Sequence, residues 1–209
     1  MAKRNRNRRP ARPISYRESK PIILVVTEGV VTEPEYLHGL VEATKNPRVE
    51  IEVFGGVGAP RTIVESARDR KKEAEKRAQR ERDDNLRYDE VWCVFDIDEH
   101  PNVQDAKQMA LDNGICLAIS NPCIELWLWL HFADQPGMRH RHELQKMMKQ
   151  HVSDYDKHVD YPDYAKRVCC CDETRVASRL DADAEADNDE GRNPTTSFWR
   201  LTESIRSSV

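Results

Sequence analysis

The 209-residue chain has no CxxC pair, no internal repeat and no long apolar run, and each absence removes a class of protein. Its longest apolar stretch, Ile124 to Phe132, is too short to span a bilayer and carries Glu125 inside it. Residues 1–20 hold no apolar region of the kind a secretory signal needs, so the expected location is the cytoplasm. Six cysteines in a chain of this length, with no export signal, do not make a disulfide scaffold. Cys169, Cys170 and Cys171 are consecutive, so on a helix they splay apart rather than converge on one ion. Cys93 and Cys116 sit in strand-like runs and Cys123 at a helix start, where buried reduced thiols are the expectation.

What is present is charge, 33% of all residues, unevenly placed. Residues 1–20 carry eight bases and one acid, whereas the rest of the chain carries 25 bases and 36 acids. A basic, proline-containing arm on an acidic body suits contact with phosphates, and Arg4, Arg6, Arg8 and Arg9 are its candidate nucleic-acid ligands. The plainer reading of the same arm is a disordered tail that aids solubility or packs on an acidic partner.

After the arm, strand and helix signals alternate, which predicts an α/β fold with a mostly parallel sheet. The strands are read at 21–27, 49–54, 91–95 and 115–119. Helices are read from Thr32, an expected N-cap, to Thr44, from Pro60 to Arg82, from Val103 to Asn113 and from Ser120-Asn121-Pro122 onward. The loop 55–58 is glycine-rich, and 71–84 is almost wholly polar and expected to face solvent or a partner. From His140 the pattern is helical, with breaks expected at Pro162 and near Gly191. The acidic stretch 181–190 reads as a frayed helix end or loop. This divides the chain into a disordered arm (1–20), an α/β core (21–135) and a helical C-terminal region packing on it (136–209).

Two strands end in carboxylates. Glu28 follows Ile22-Ile23-Leu24-Val25-Val26-Thr27, and Gly29 frees the backbone beside it. Asp96 and Asp98 follow Val91 to Phe95, and alternation in an extended segment points both carboxylates the same way. Strand ends are where open α/β sheets bind ligands. If the two strands are neighbours, Glu28, Asp96 and Asp98 make an acid cluster suited to Mg2+ or Mn2+, hard ions that prefer oxygen. Otherwise each is a solvated strand end.

Asn121 and Glu125, after the fourth strand, fall on one helix face at four-residue spacing. Glu125 is a candidate second metal ligand or water-orienting group; alternatively Asn121 caps the helix and Glu125 favours its first turn. Glu33 and Glu35 read first as helix-dipole partners, with Glu33 the outside candidate for metal. Trp127 and Trp129 are not on one helical face, which assigns one to the core and one to a contact surface. His131 reads as a half-buried packing residue. Arg61, Arg68 and Lys71 are candidate holders of a phosphate backbone.

Several of these segments together resemble the RloB family, a Toprim-like group. They are Val26-Thr27-Glu28-Gly29 with Thr32-Glu33-Pro34-Glu35-Tyr36, Phe95-Asp96-Ile97-Asp98, Ile119 to Trp127 with its Asn-Pro-Cys-x-Glu-Leu-Trp, and Asn193-Pro194-Thr195-Thr196. The resemblance spans roughly residues 21–205. It implies a Toprim-like fold, metal held by Glu28, Asp96 and Asp98, and a place in prokaryotic anti-phage defence beside an ABC- or SMC-type ATPase. It implies a Mg2+- or Mn2+-dependent nuclease acting on DNA, tRNA or other RNA. One departure stands out: no lysine occupies the usual catalytic place of better-known Toprim nucleases, and Lys157 is the candidate. The reading from another class is a non-catalytic, ATPase-binding subunit or toxin that uses helix 71–84 and the apolar surface near Trp127.

Overall fold

The computed structural model describes residues 20–54, 59–97, 103–165 and 172–207. Arg4, Arg6, Arg8, Arg9 and Asp98, the loop 55–58 and the cysteines 169–171 lie outside the described residues. Four strands run parallel: β1 (Ile23–Thr27), β2 (Val49–Val53), β3 (Glu90–Asp96) and β4 (Cys116–Asn121). A fifth, β5 (Thr195–Thr196), pairs antiparallel with β4, giving the order β2-β1-β3-β4-β5. The helices are α1 (Thr32–Thr44), α2 (Pro60–Glu81), α3 (Val103–Asp112), α4 (Glu125–Leu130), α5 (Arg141–Met148), α6 (Tyr161–Ala165), α7 (Glu173–Ala186) and α8 (Phe198–Ser207).

The central strands carry unbroken apolar runs, Ile23 to Val26 and Val91 to Phe95, because helices cover both faces of the sheet. Leu24 and Val26 of β1 pack with Val91, Cys93 and Phe95 of β3 against Ile63, Val64 and Ala67 of α2 and Ala106 and Ala110 of α3. The alternate residues Ile23, Val25, Trp92 and Val94 face the other layer, built from α1, α4, α6, α7 and α8. Each fully buried aliphatic side chain there contributes about 1.5–3 kcal/mol. At the centre of that layer Tyr36 touches the rings of Trp127, His131, Tyr161, Tyr164 and Phe198 edge-on or tilted.

Several sequence expectations change. Trp127 and Trp129 are both buried, so no tryptophan surface exists there: the short α4 is wrapped on every side. His131 is fully rather than half buried. Asn121 ends β4 instead of starting a helix; α4 begins four residues later, with Ile124 in the cap position and no side-chain cap. Thr32 is the first residue of α1 rather than its cap, and its hydroxyl donates to the Lys157 carbonyl at 2.9 Å. Pro162 falls in the first turn of α6, where proline lacks nothing the helix needs, so it starts that helix rather than breaking one. The acidic stretch does hold a helix end, as read: α7 runs to Ala186 and the chain turns beyond it. Cys116 is exposed. The polar half of α2 is largely solvated as read, with Ala78 its buried exception. Among the described residues no helix is long and apolar enough to cross a membrane.

The strand order has one consequence for function. The connection from β1 leads outward to β2 on one side, while the chain crosses over to β3 and continues to β4 on the other. The carboxyl ends of β1 and β3 therefore flank a switch point, where a crevice opens in sheets of this kind.

Candidate functional site

Glu28 leaves β1 with its amide donating to the Val94 carbonyl at 2.9 Å, which fixes it beside the end of β3. In the β1–β3 register Thr27 lies opposite Val94, so Asp96 ends its strand just past Glu28. The condition left open by the sequence, that the two strands be neighbours, is met. Glu28, Gly29, Glu33, Asp96 and Glu125 line one cavity of about 260 Å³, together with Arg141, Gln145 and Lys157.

Each acid arrives by a different route. Gly29 allows the close return of α1: a Cβ built on it would lie 1.9 Å from the Glu33 Oε2. The absent side chain is thus the space the Glu33 carboxylate fills. Glu33 is buried and lines the cavity, which goes beyond a helix-dipole role. Glu125, 2% exposed, is the first residue of α4, and its Oε1 accepts from the Tyr155 hydroxyl at 3.3 Å.

Crowding of like charges in a partly dry cavity disfavours the ionised forms. Desolvation by the surrounding protein pushes the Asp96 carboxyl well above the ordinary range; Glu33 and then Glu125 raise it further, Arg141 opposes, and Glu28 adds a smaller push. Glu33 is pushed up to about 7, first by burial and then by Glu125 and Glu28, against a backbone hydrogen bond and Lys157 that pull it down. Burial also raises the Cys93 thiol to about 12 and the Cys123 thiol still higher, which removes both as nucleophiles at neutral pH.

The donors in this cavity are carboxylate oxygens, the chemistry a hard divalent cation prefers. Among the described residues no three His, Cys, Asp or Glu side chains form a group that could hold a metal ion by themselves. An ion such as Mg2+, which binds through carboxylate oxygens and keeps several waters, suits donors of this kind.

Of the other candidates, Lys157 does reach the cavity. It sits at φ 80°, a conformation costly for a residue with a Cβ, and the Thr32 hydroxyl bond to its carbonyl holds it there. Asn121 does not line the cavity; its amide donates to the Gly191 carbonyl at 2.7 Å and ties β4 to the approach to β5. Thr196 is buried against the Ser120 hydroxyl at 2.8 Å, also away from it. Arg61, on α2, pairs with Glu65 at 3.1 Å and Asp105 at 3.8 Å. Arg68 pairs with Asp69, and Lys71 donates to the carbonyls of Asn113 and Gly114, pinning α2 to the end of α3. Sequence reasoning passed over Arg141, Gln145 and Tyr155. The available signal was the start of α5, where the His140 ring accepts from the His142 amide and Glu143 accepts from the His140 amide. That is a reciprocal cap written with histidine in place of serine or threonine.

A family model described as RloB-like protein matches residues 23–205, most of the chain. No curated protein and no solved structure matches it.

Proposed function

The chain belongs to the RloB-like family, and from that membership and its acid-lined cavity we propose that it is a Toprim-like, Mg2+- or Mn2+-dependent phosphodiesterase acting on nucleic acid. In this reading it is the effector of a prokaryotic anti-phage defence system that works with an ABC- or SMC-type ATPase. The observation that carries the proposal is the gathering of Glu28, Glu33, Asp96 and Glu125 in one cavity at the sheet's switch point. Four acids are kept together there although burial and mutual repulsion raise the carboxyl pKa of two of them. Perturbed acids converging in a cleft mark a candidate functional site.

Glu28 and Asp96 would hold the ion, with Asp98 as the further ligand of the same motif and Glu125 beside them. Once bound, the ion supplies positive charge at the scissile phosphate and makes a neighbouring water more acidic. The chain's own residues do the rest. Arg141 and Lys157 bring positive charge to the cavity wall, where a phosphate's non-bridging oxygens would lie. Glu33, with a pKa near neutrality, is suited to take a proton from an attacking water or return one to the leaving oxygen. Tyr155 holds Glu125 in one orientation by the hydroxyl bond to its carboxylate.

The absence of a three-acid nest among the described residues favours one second reading, a non-catalytic subunit or toxin that binds the same kind of ATPase. Cleavage separates the two. Labelled DNA, tRNA and other RNA are incubated in Mg2+ or Mn2+ with the wild type and with D96A/D98A, alone and with the partner ATPase. Cleavage by the wild type that the double variant loses supports the nuclease. Cleavage that persists in the variant sinks the metal site, and none under any condition leaves the subunit reading.

A further inference from the structure

A second concavity, about 460 Å³, adjoins the acid cavity and shares Gln145 and Lys157 with it. It is lined by His142, Gln145 and Lys146 of α5, by Lys149 directly after it, and by Tyr155, Asp156 and Lys157 from the loop that follows. Positions 142, 145, 146 and 149 recur at three- and four-residue spacing, so they form one stripe along the helix. The opposite stripe, Leu144 and Met148, is buried. Lys146 and Lys149 are exposed, and among the described residues neither they nor Lys157 forms a salt bridge. Asp156 is the one acid lining the groove, and its Oδ1 accepts from the His158 amide at 3.3 Å.

This local balance runs against the rest of the molecule. Residues 139–158 hold five bases, three acids and four of the seven histidines, in a body where acids outnumber bases by 36 to 25. Three ammonium groups outside any salt bridge among the described residues, on a groove that opens into a cluster of acids, mark a track for a polyanion whose phosphate must reach those acids. We propose that the α5 groove binds the phosphodiester backbone of single-stranded nucleic acid, with Lys146, Lys149 and Lys157 on successive phosphates, and feeds the strand into the acid cavity. The groove's size is that of a site for a drug-sized ligand, which suits one or two nucleotides of a single strand and not the breadth of a duplex. This rests on the nuclease reading for its direction, yet binding is measurable without cleavage.

The test is fluorescence anisotropy with the full-length protein and labelled single-stranded RNA or DNA in EDTA, over a series of salt concentrations. K146Q/K149Q is compared with the wild type and with D96N. Both lysines are exposed, so the double variant should melt like the wild type. The expected result is binding weakened about tenfold in K146Q/K149Q, with the slope of log K against log salt smaller by about 1.4, two single-strand phosphates' worth, and D96N binding retained. An unchanged slope and affinity in K146Q/K149Q would overturn the groove, as would an equal loss in D96N. If the slope changes as expected but no nucleic acid is cut in Mg2+ or Mn2+, the groove stands and the nuclease falls.

Discussion

At the residue scale, the most consequential side chains are those placed where water cannot reach them. His131 is buried under Tyr36, with the Tyr36 hydroxyl 3.1 Å from its Nε2, and burial pulls its pKa down to about 4 from an ordinary 6.5. The folded protein therefore keeps it neutral while the unfolded chain takes up a proton below about pH 6.5. Stability then falls as pH drops from about 6.5 towards 4, by up to roughly 3 kcal/mol from this group alone. H131Q should lose stability near pH 7, where a buried ring and its hydrogen bond are removed, and lose less near pH 5. Urea unfolding at the two pH values checks this, and a gap that is the same at both would show that His131 is not buried neutral. The sequence placed His131 behind an apolar stripe but underestimated its burial, because the ring it bonds lies 95 residues away. Glu33 was hidden in the same manner. Acids early in a helix read first as dipole partners, and only the close return of α1 past Gly29 turns Glu33 into the cavity.

At the scale of elements, long apolar strands were legible and short or tertiary-made ones were not. β1 and β3 announce themselves because a strand buried on both faces carries an unbroken apolar run, Ile23 to Val26 in one and Val91 to Phe95 in the other. β5 is two threonines, too short to show any period; it exists because the Asn121 and Ser120 backbone offers an edge and the Ser120 and Thr196 hydroxyls bond across it. α4 was read as two-faced because its tryptophans point apart, but α5, α7 and β5 enclose it, so both faces became core. Where α1 meets α6 the packing is tighter still: a Cβ on Gly39 would lie 2.1 Å from the Tyr161 Cβ. G39A gains about 1 kcal/mol of helix propensity, yet it must push α6 off α1. The expected net loss is about 1–2 kcal/mol by denaturant unfolding, and a variant as stable as the wild type would mean the two helices are not in this contact.

At the scale of the whole molecule, the fold works against its own stability at one place. Helices build an apolar core on each face of the sheet, while the carboxyl ends of β1 and β3 hold acids that repel one another. The positions of Glu28 and Asp96 were legible as strand ends; their meeting in one cavity needed the strand order, which no local pattern encodes. Because Asp96 has a folded pKa above its unfolded one, its ionisation destabilises the fold increasingly as pH rises above the ordinary carboxylate range. D96N removes that charge with little change of shape, so at neutral pH it should melt higher than the wild type. A divalent cation relieves the same repulsion only where Asp96 is present. The direct measurement is the melting temperature of wild type and D96N at neutral pH, in EDTA and in Mg2+ or Mn2+. With the ion at about 100 times its Kd, the wild type should gain about 2.7 kcal/mol, or roughly 5–10 °C, and D96N should start higher and barely respond. A D96N protein that starts no higher and rises with the ion as far as the wild type would contradict a metal site at Asp96.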